Sequence, residues 1–301
     1  MKKLGVAAAI LVALLGASWL LFHRSIKKLL RGGTEISTGR FQDPEGLSVD
    51  SEGRIYVSDE DRGTLTVLSP EGAILRTMKR DFLHGDSLVA LRLDRIITIG
   101  EHELWRVNLV EEATPQATRI ELSSPPGISD PEGIALNRAT GHFFVTLEDA
   151  RKIRVLDLDF KLVLEFPVPH DPEGIGVLPD GRLIVTFSKD DFCQVFSPDG
   201  TPGPKIGRKG KALGEFNNPD FALAGPDGRI YITDQKNHRI QVFDRDFKPL
   251  FAIGRHGKGL GEFDDPEDLA FDPKGRLLVA DGGNHRIQVL KPTGEFVAEF
   301  K

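Results

Sequence analysis

The chain has 301 residues, is 40% hydrophobic and 28% charged, and carries a net charge of −6. This is the composition of a globular protein, and the negative balance excludes a chain-wide electrostatic attraction to nucleic acid. Cys193 is the single cysteine, so an intrachain disulfide is excluded as well.

The first element is apolar. Leu4 to Phe22 runs for 19 residues without a charge. As a helix it would be roughly 28 Å long, close to the hydrocarbon thickness of a bilayer. Lys2 and Lys3 precede it; Arg24, Lys27, Lys28 and Arg31 follow it. One N-terminal transmembrane helix is therefore expected, with residues 1–33 as membrane anchor and basic juxtamembrane segment. The rival reading is a cleaved signal peptide ending at Gly16-Ala17-Ser18, which the basic cluster after the apolar run disfavours. The stronger basic flank would keep the following domain in the cytoplasm, whereas the short "MKK" start resembles a bacterial export signal. The expectation adopted is an exported, periplasmic or extracellular domain.

From residue 40 the chain is periodic. An acidic residue opens a short apolar run at Glu45, Asp86, Glu132, Glu173, Asp220 and Glu267, in steps of 41, 46, 41, 47 and 47 residues. Each run is followed by a glycine turn such as "SEGR", "PDGR" or "PKGR", then by "IYVSD", "IYITD" or "LLVAD", then by two further β-rich runs. Four strands per unit of this length are the signature of propeller blades. The expected fold of residues 34–301 is all-β: a six-bladed β-propeller of four-stranded antiparallel blades. The last unit carries its own fourth run, "EFVAEF", so closure requires no borrowed strand. In the innermost strands Leu47 and Val49 alternate with Gly46 and Ser48, and Ile175 and Val177 with Gly174 and Gly176. Large side chains on one face can then enter the small face of the next blade. Unit five reverses this, with Phe221 and Leu223 at the small positions, which predicts a local repacking around Asp220.

Two stretches carry a family resemblance. "GKALGEFNNPDFALAGPDGRIYITDQKNHRIQVF" at 210–243 and "GKGLGEFDDPEDLAFDPKGRLLVADGGNHRIQVL" at 257–290 resemble the NHL repeat. The resemblance is weaker in units one, three and four and poor in unit two. It implies a six-bladed propeller and little about activity, since the family includes protein-binding, RNA-binding and a few enzymatic members. It also implies that Asp234, Asn237, His238 and Arg239, with their counterparts Asp281, Asn284, His285 and Arg286, are structural. More distantly the chain is similar to senescence-marker, gluconolactonase and strictosidine-synthase-like propellers. In the first two a catalytic divalent metal is held by an acid or amide where inner strands start. Glu45, Glu132, Glu173 and Glu267 lie at matching places, but no unit has the Asn those enzymes use.

In a propeller the inner strands start at the loop face, so the six acids should circle the mouth of the central channel. On a ring of about 6 Å radius, neighbouring charges repel by roughly 3 kcal/mol at an effective dielectric near 20. Water, raised pKa values or a cation would relieve this, and oxygen donors in a flexible ring suit Ca²⁺. The alternative is that each acid only accepts N–H bonds of its own loop. His84 and His170 flank the ring and are candidate general bases beside a metal, or else hydrogen-bonded loop histidines. Arg208, Lys209, Lys211, Arg255 and Lys258, with His256, give one sector positive charge for an anionic ligand, unless they are simply solvated. No organic cofactor is expected. The function these readings favour is a monomeric, membrane-tethered platform for a protein, peptide, glycan or anionic small molecule, with Ca²⁺ in the acidic ring. A metal-dependent lactonase or esterase is the alternative.

Overall fold

A computed structural model of the chain describes residues 40–79, 87–92, 95–100, 103–108, 116–120 and 130–301. They fall in the second of the two units into which the chain divides, Gly39–Lys301. The expected helix over residues 4–22 lies outside the described residues. Among the described residues no helix is long and apolar enough to cross a membrane.

The described residues form six four-stranded antiparallel sheets with the strands of each in sequence order. Blades 1 to 6 span 44–79, 88–120, 131–167, 175–206, 219–253 and 266–300. Their inner strands are Pro44–Val49, Leu88–Arg92, Pro131–Asn137, Ile175–Val177, Pro219–Ala224 and Pro266–Phe271. Each inner strand packs on the next, and the sixth packs on the first, so the ring is closed. The sixth blade supplies its own outer strand, Phe296–Phe300, and among the described residues no strand is borrowed.

A single four-stranded sheet cannot bury both apolar faces, and the ring solves this by dividing the core into wedges. Ala135, Phe144 and Phe166 of blade 3 pack with Ile175, Leu183 and Phe187 of blade 4. Leu47, Val57 and Leu68 of blade 1 pack with Ala270, Leu278 and Phe300 of blade 6. The other four seams are filled in the same way.

Close approach of the inner strands is what makes the wedges fit. A Cβ at Gly174 would lie 2.4 Å from the Asp220 carbonyl, and one at Gly176 would lie 2.2 Å from that of Ala222. These glycines are small because the next backbone occupies their side-chain space. The reversal in unit five is local, as expected. Ala222 is fully buried against blade 4, while Phe221 and Leu223 pack into the wedge with blade 6.

Hydroxyls on the second strands and side chains on the inner strands tie neighbouring blades. Thr146 Oγ1 accepts from Gly133 N–H at 2.6 Å and donates to the Glu173 carbonyl at 2.6 Å. Thr186 Oγ1 accepts from Gly174 N–H at 2.8 Å and donates to the Asp220 carbonyl at 2.6 Å. Thr233 Oγ1 accepts from Phe221 N–H at 2.7 Å, so the backbone after Asp220 keeps the common path despite the repacking. In blade 6 the equivalent residue is Ala280, which offers no hydroxyl. There the tie is Asp268, 3% exposed, whose carboxylate accepts from Leu47 N–H of blade 1 at 2.9 Å and from its own neighbour Leu269 N–H at 2.6 Å.

Burial pushes the Asp268 carboxyl well above its usual range, against the lowering effect of those two N–H bonds. The folded state thus binds the proton more tightly than the unfolded chain. The associated stability is present below the ordinary carboxylate range and lost as pH rises through the raised value. Asp268→Ala should lower unfolding stability by about 1–3 kcal/mol in urea denaturation, because Leu47 N–H loses its acceptor in a buried seam. Asp268→Asn should cost less at neutral pH, and the wild type should gain on this variant as pH falls.

Candidate functional site

The strand register sets which residues share a face. The first residue of an inner strand opposes the last residue of the second strand: Pro44 with Asp59, Pro219 with Asp234, Pro266 with Asp281. The acidic starts, the turns after the second strands and the loops between blades therefore meet at one end of the propeller. The fully buried aspartates at these positions anchor that face. Asp234 accepts from Asn217 N–H at 2.8 Å, Arg239 Nε at 2.7 Å and Gln241 Nε2 at 2.9 Å. Asp281 repeats this with Asp264 N–H, Arg286 Nε and Gln288 Nε2 at 2.8, 2.7 and 2.9 Å. Burial raises the Asp281 carboxyl, while the N–H bonds, Arg286 and Asn284 oppose the rise. Arg286 reaches three carbonyls of the preceding loop, those of Lys258, Gly259 and Glu262. A structural role for these motif residues follows directly from the bonds they make.

The acids at the inner-strand starts differ from sector to sector. Glu45, Glu132 and Glu267 are buried; Glu173 and Asp220 are half-buried; Asp86 and His84 lie outside the described residues. Two starts belong to carboxylate triads, Asp43–Glu45–Glu60 in blade 1 and Asp130–Glu132–Glu148 in blade 3, each with its oxygens within 4.8 Å of one another. In the blade 3 sector a lysine enters. Lys189 of blade 4 pairs with Glu148 and lies 3.7 Å from Asp171. Burial works against its charge, but Glu148, Asp171 and Glu173 together hold the amine above its ordinary range. At the seam of blades 5 and 6, Gln235 Nε2 donates to Glu267 Oε2 at 2.5 Å. The next equivalent position is Gly282, where a Cβ would sit 2.9 Å from Asp43 Oδ1 and 3.3 Å from Glu267 Cγ. Asp43 and Glu267 thus fill the space a side chain would need, so the blade 1 triad packs against glycine here.

Sequence reasoning found the inner acids and missed their partners. Glu60, Glu148, Ser188, Gln235 and Gly282 all stand one residue beyond the second strand. Their common register was the available signal. Their variation, rather than any repeated identity, decides how each sector handles its charge.

His170 is placed against its own blade. Its Nδ1 is 3.0 Å from Asp190, and its ring meets Phe192 edge-on at 5.2 Å. Among the basic candidates, Arg208 pairs with Glu215 at 2.9 Å, Arg255 with Glu262 at 2.8 Å and Lys209 with Asp191 at 2.9 Å. Lys211 and Lys258 are exposed. Arg208 also borders an open groove between blades 4 and 5 with Leu213, Phe247 and Pro249. Much of the predicted positive field is therefore offset locally.

A further cluster lies on this face between blades 5 and 6. His238 Nδ1 is 3.4 Å and His256 Nε2 is 3.5 Å from Asp264 Oδ1. The two imidazole rings stand 4.2 Å apart. Burial and the neighbouring His256 hold the His238 imidazole below its ordinary range, although Asp264 and Asp265 pull the other way.

With this geometry in hand, comparison with known proteins defines the class. Residues 41–68, 216–243 and 263–290 match the NHL repeat. The chain is thus a six-bladed β-propeller carrying NHL repeats. Among solved structures it is similar to an auxiliary nutrient binding protein from Bacteroides thetaiotaomicron, 14% identical over 82% of this chain and 68% of that one, with a TM-score of 0.66. It is also similar to virginiamycin B lyase from Staphylococcus aureus, 14% identical over 86% and 84% of the two chains, TM-score 0.57. A streptogramin B lyase is 15% identical over 83% and 93%, TM-score 0.59. At these identities the likeness is one of fold. No curated protein sequence matches the chain.

Lys189→Met should expose the charge crowding of blade 3. Glu148, 7% exposed beside Asp130 and Glu132, would lose its cation. The expected loss is about 1–3 kcal/mol in urea unfolding at neutral pH. Lys189→Arg should restore most of it.

Proposed function

We propose that the protein is a membrane-tethered binding platform whose loop face recognises a protein, peptide or glycan, with a divalent cation ordering the mouth of its central channel. The observation that carries this reading is the blade 1 triad. Asp43, Glu45 and Glu60 each bring a carboxylate oxygen within 4.8 Å of the others. Carboxylate oxygens alone suit a hard cation of the Ca²⁺ type. The cation would supply local positive charge at the mouth; Asp43, Glu45 and Glu60 would hold it. Blade 3 has equivalent acids but meets them with Lys189, so the two triads are not interchangeable.

The binding role is supported by the fold and its repeats, and one structural relative is itself described as a nutrient binding protein. The tether rests on the uncharged run at 4–22 with its basic flanks, and the export assignment on the "MKK" start. Lactonase or esterase chemistry has less support, because among the described residues His170 joins neither carboxylate triad.

Calorimetric titration of the full chain with Ca²⁺ should show binding, and Glu45→Gln should weaken it at least ~10-fold, the lower bound for disturbing a metal site's surroundings. Glu132→Gln should leave the affinity within a factor of about two. Absence of Ca²⁺ binding to the wild type would sink the cation. Release of the protein from membranes by alkaline carbonate would sink the tether.

A further inference from the structure

The repeat provides an internal comparison. Blades 5 and 6 begin with closely similar loops, "GRKGKALGEFNNPD" at 207–220 and "GRHGKGLGEFDDPE" at 254–267. Lys209 in the first loop corresponds to His256 in the second, and Asn217 to Asp264. Both loops fold alike, through parallel bridges of Lys209 with Phe216 and of His256 with Phe263. The turn after the second strand of the preceding blade supplies the third position: Asp191 at the seam of blades 4 and 5, His238 at the seam of blades 5 and 6. Asp191 and His238 share the same left-handed backbone, with φ of 60° and 52°.

One location in the fold thus carries two different chemistries. At the first seam Asp191 accepts from Lys209 Nζ at 2.9 Å and from Asn218 N–H at 2.9 Å, a self-contained ion pair. At the second seam all three positions have changed. The pair has become two imidazoles, and the neutral Asn217 has become the carboxylate of Asp264. The backbone bond is slack as well: Asp265 N–H reaches His238 Nδ1 at only 3.4 Å. The second seam has its own ion pair, Lys236 with Asp265 at 3.0 Å, and beside it two imidazoles and a carboxylate, two of which remain accessible. His256 is 68% and Asp264 31% exposed.

We propose that His238, His256 and Asp264 form a binding site for a divalent transition-metal ion of the zinc type. The ligand atoms lie within 4.8 Å of one another. Metal–ligand bonds of about 2.0–2.1 Å in a tetrahedron require donor–donor edges of roughly 3.3–3.4 Å. The His238–Asp264 and His256–Asp264 separations of 3.4 and 3.5 Å already fit two such edges. The remaining adjustment is to part the imidazole rings, 4.2 Å apart, which the exposed His256 side chain can do by rotation. Two imidazoles and a carboxylate select zinc, nickel, copper or cobalt over calcium and magnesium. Three protein donors at an open surface leave a fourth position for water. The site is distinct from the all-carboxylate mouth and takes a different class of metal.

The test uses the full 301-residue chain in detergent, titrated with Zn²⁺ alone and with Co²⁺ followed by its visible absorption. The wild type should bind one Co²⁺ with the intense bands of a tetrahedral ion, displaced by Zn²⁺ and unaffected by excess Ca²⁺. His256→Ala should weaken binding by about 10–100-fold or more, the range seen even when only a ligand's supporting partner is lost. A His238→Asp, His256→Lys double variant restores the ion pair of the neighbouring seam; it should keep the wild-type unfolding midpoint within a few degrees and lose the cobalt spectrum. His285→Ala, the counterpart one blade on, should bind as the wild type does. Absence of a tetrahedral cobalt spectrum in the wild type, its persistence in the double variant, or an equal loss in His285→Ala would overturn the assignment.

Discussion

Everything in this propeller depends on how closely one inner strand can approach the next. The approach is set by single atoms. The hydroxyls of Thr146 and Thr186 each accept from their own inner strand and donate to the following one, with bonds of 2.6–2.8 Å. Gly174 and Gly176 remove the side chains that would otherwise hold the strands apart. Buried backbone groups must find partners, so each seam needs such a bridge.

The loop face is asymmetric. The acids that begin the inner strands among the described residues stand in different surroundings. Lys189 enters the sector of blade 3, Gln235 binds Glu267, and at Gly282 the carboxylate side chains of Asp43 and Glu267 take the room of a side chain. The same scaffold position is thus occupied by an acid, an amide, a hydroxyl or nothing. Function in a repeat fold arises from such departures, since whatever all repeats share is committed to holding the ring together.

The spacing of acids, the turns and the four β-rich runs made the blades legible in the sequence, because each lies within one repeat. The structural role of Asp234, Asp281 and their Arg and Gln partners was legible for the same reason. What was hidden lies between repeats. Lys189 acts on residues of the preceding blade; Asp268 acts across the closing seam on Leu47; His238 meets a histidine from a different loop. Such pairs depend on the angle between sheets, which periodicity along the chain does not encode. Asp268 was further concealed by the "DDPED" run, where a fourth carboxylate looks redundant. In the fold it replaces a hydroxyl that Ala280 cannot provide.

The seam between the first and last blades also bears on biosynthesis. Leu47 and Asp268 are separated by 221 positions, and Phe300 lies over Gly72. During translation each blade from the second onward can settle on its predecessor as it emerges, since their contacts are local in order. The apolar surface of the first blade that faces the sixth, Leu47, Val57 and Leu68 among it, has no such companion until the sixth blade has been made. The nascent polypeptide therefore carries an uncovered hydrophobic flank for most of its synthesis, and this is the surface a chaperone would engage.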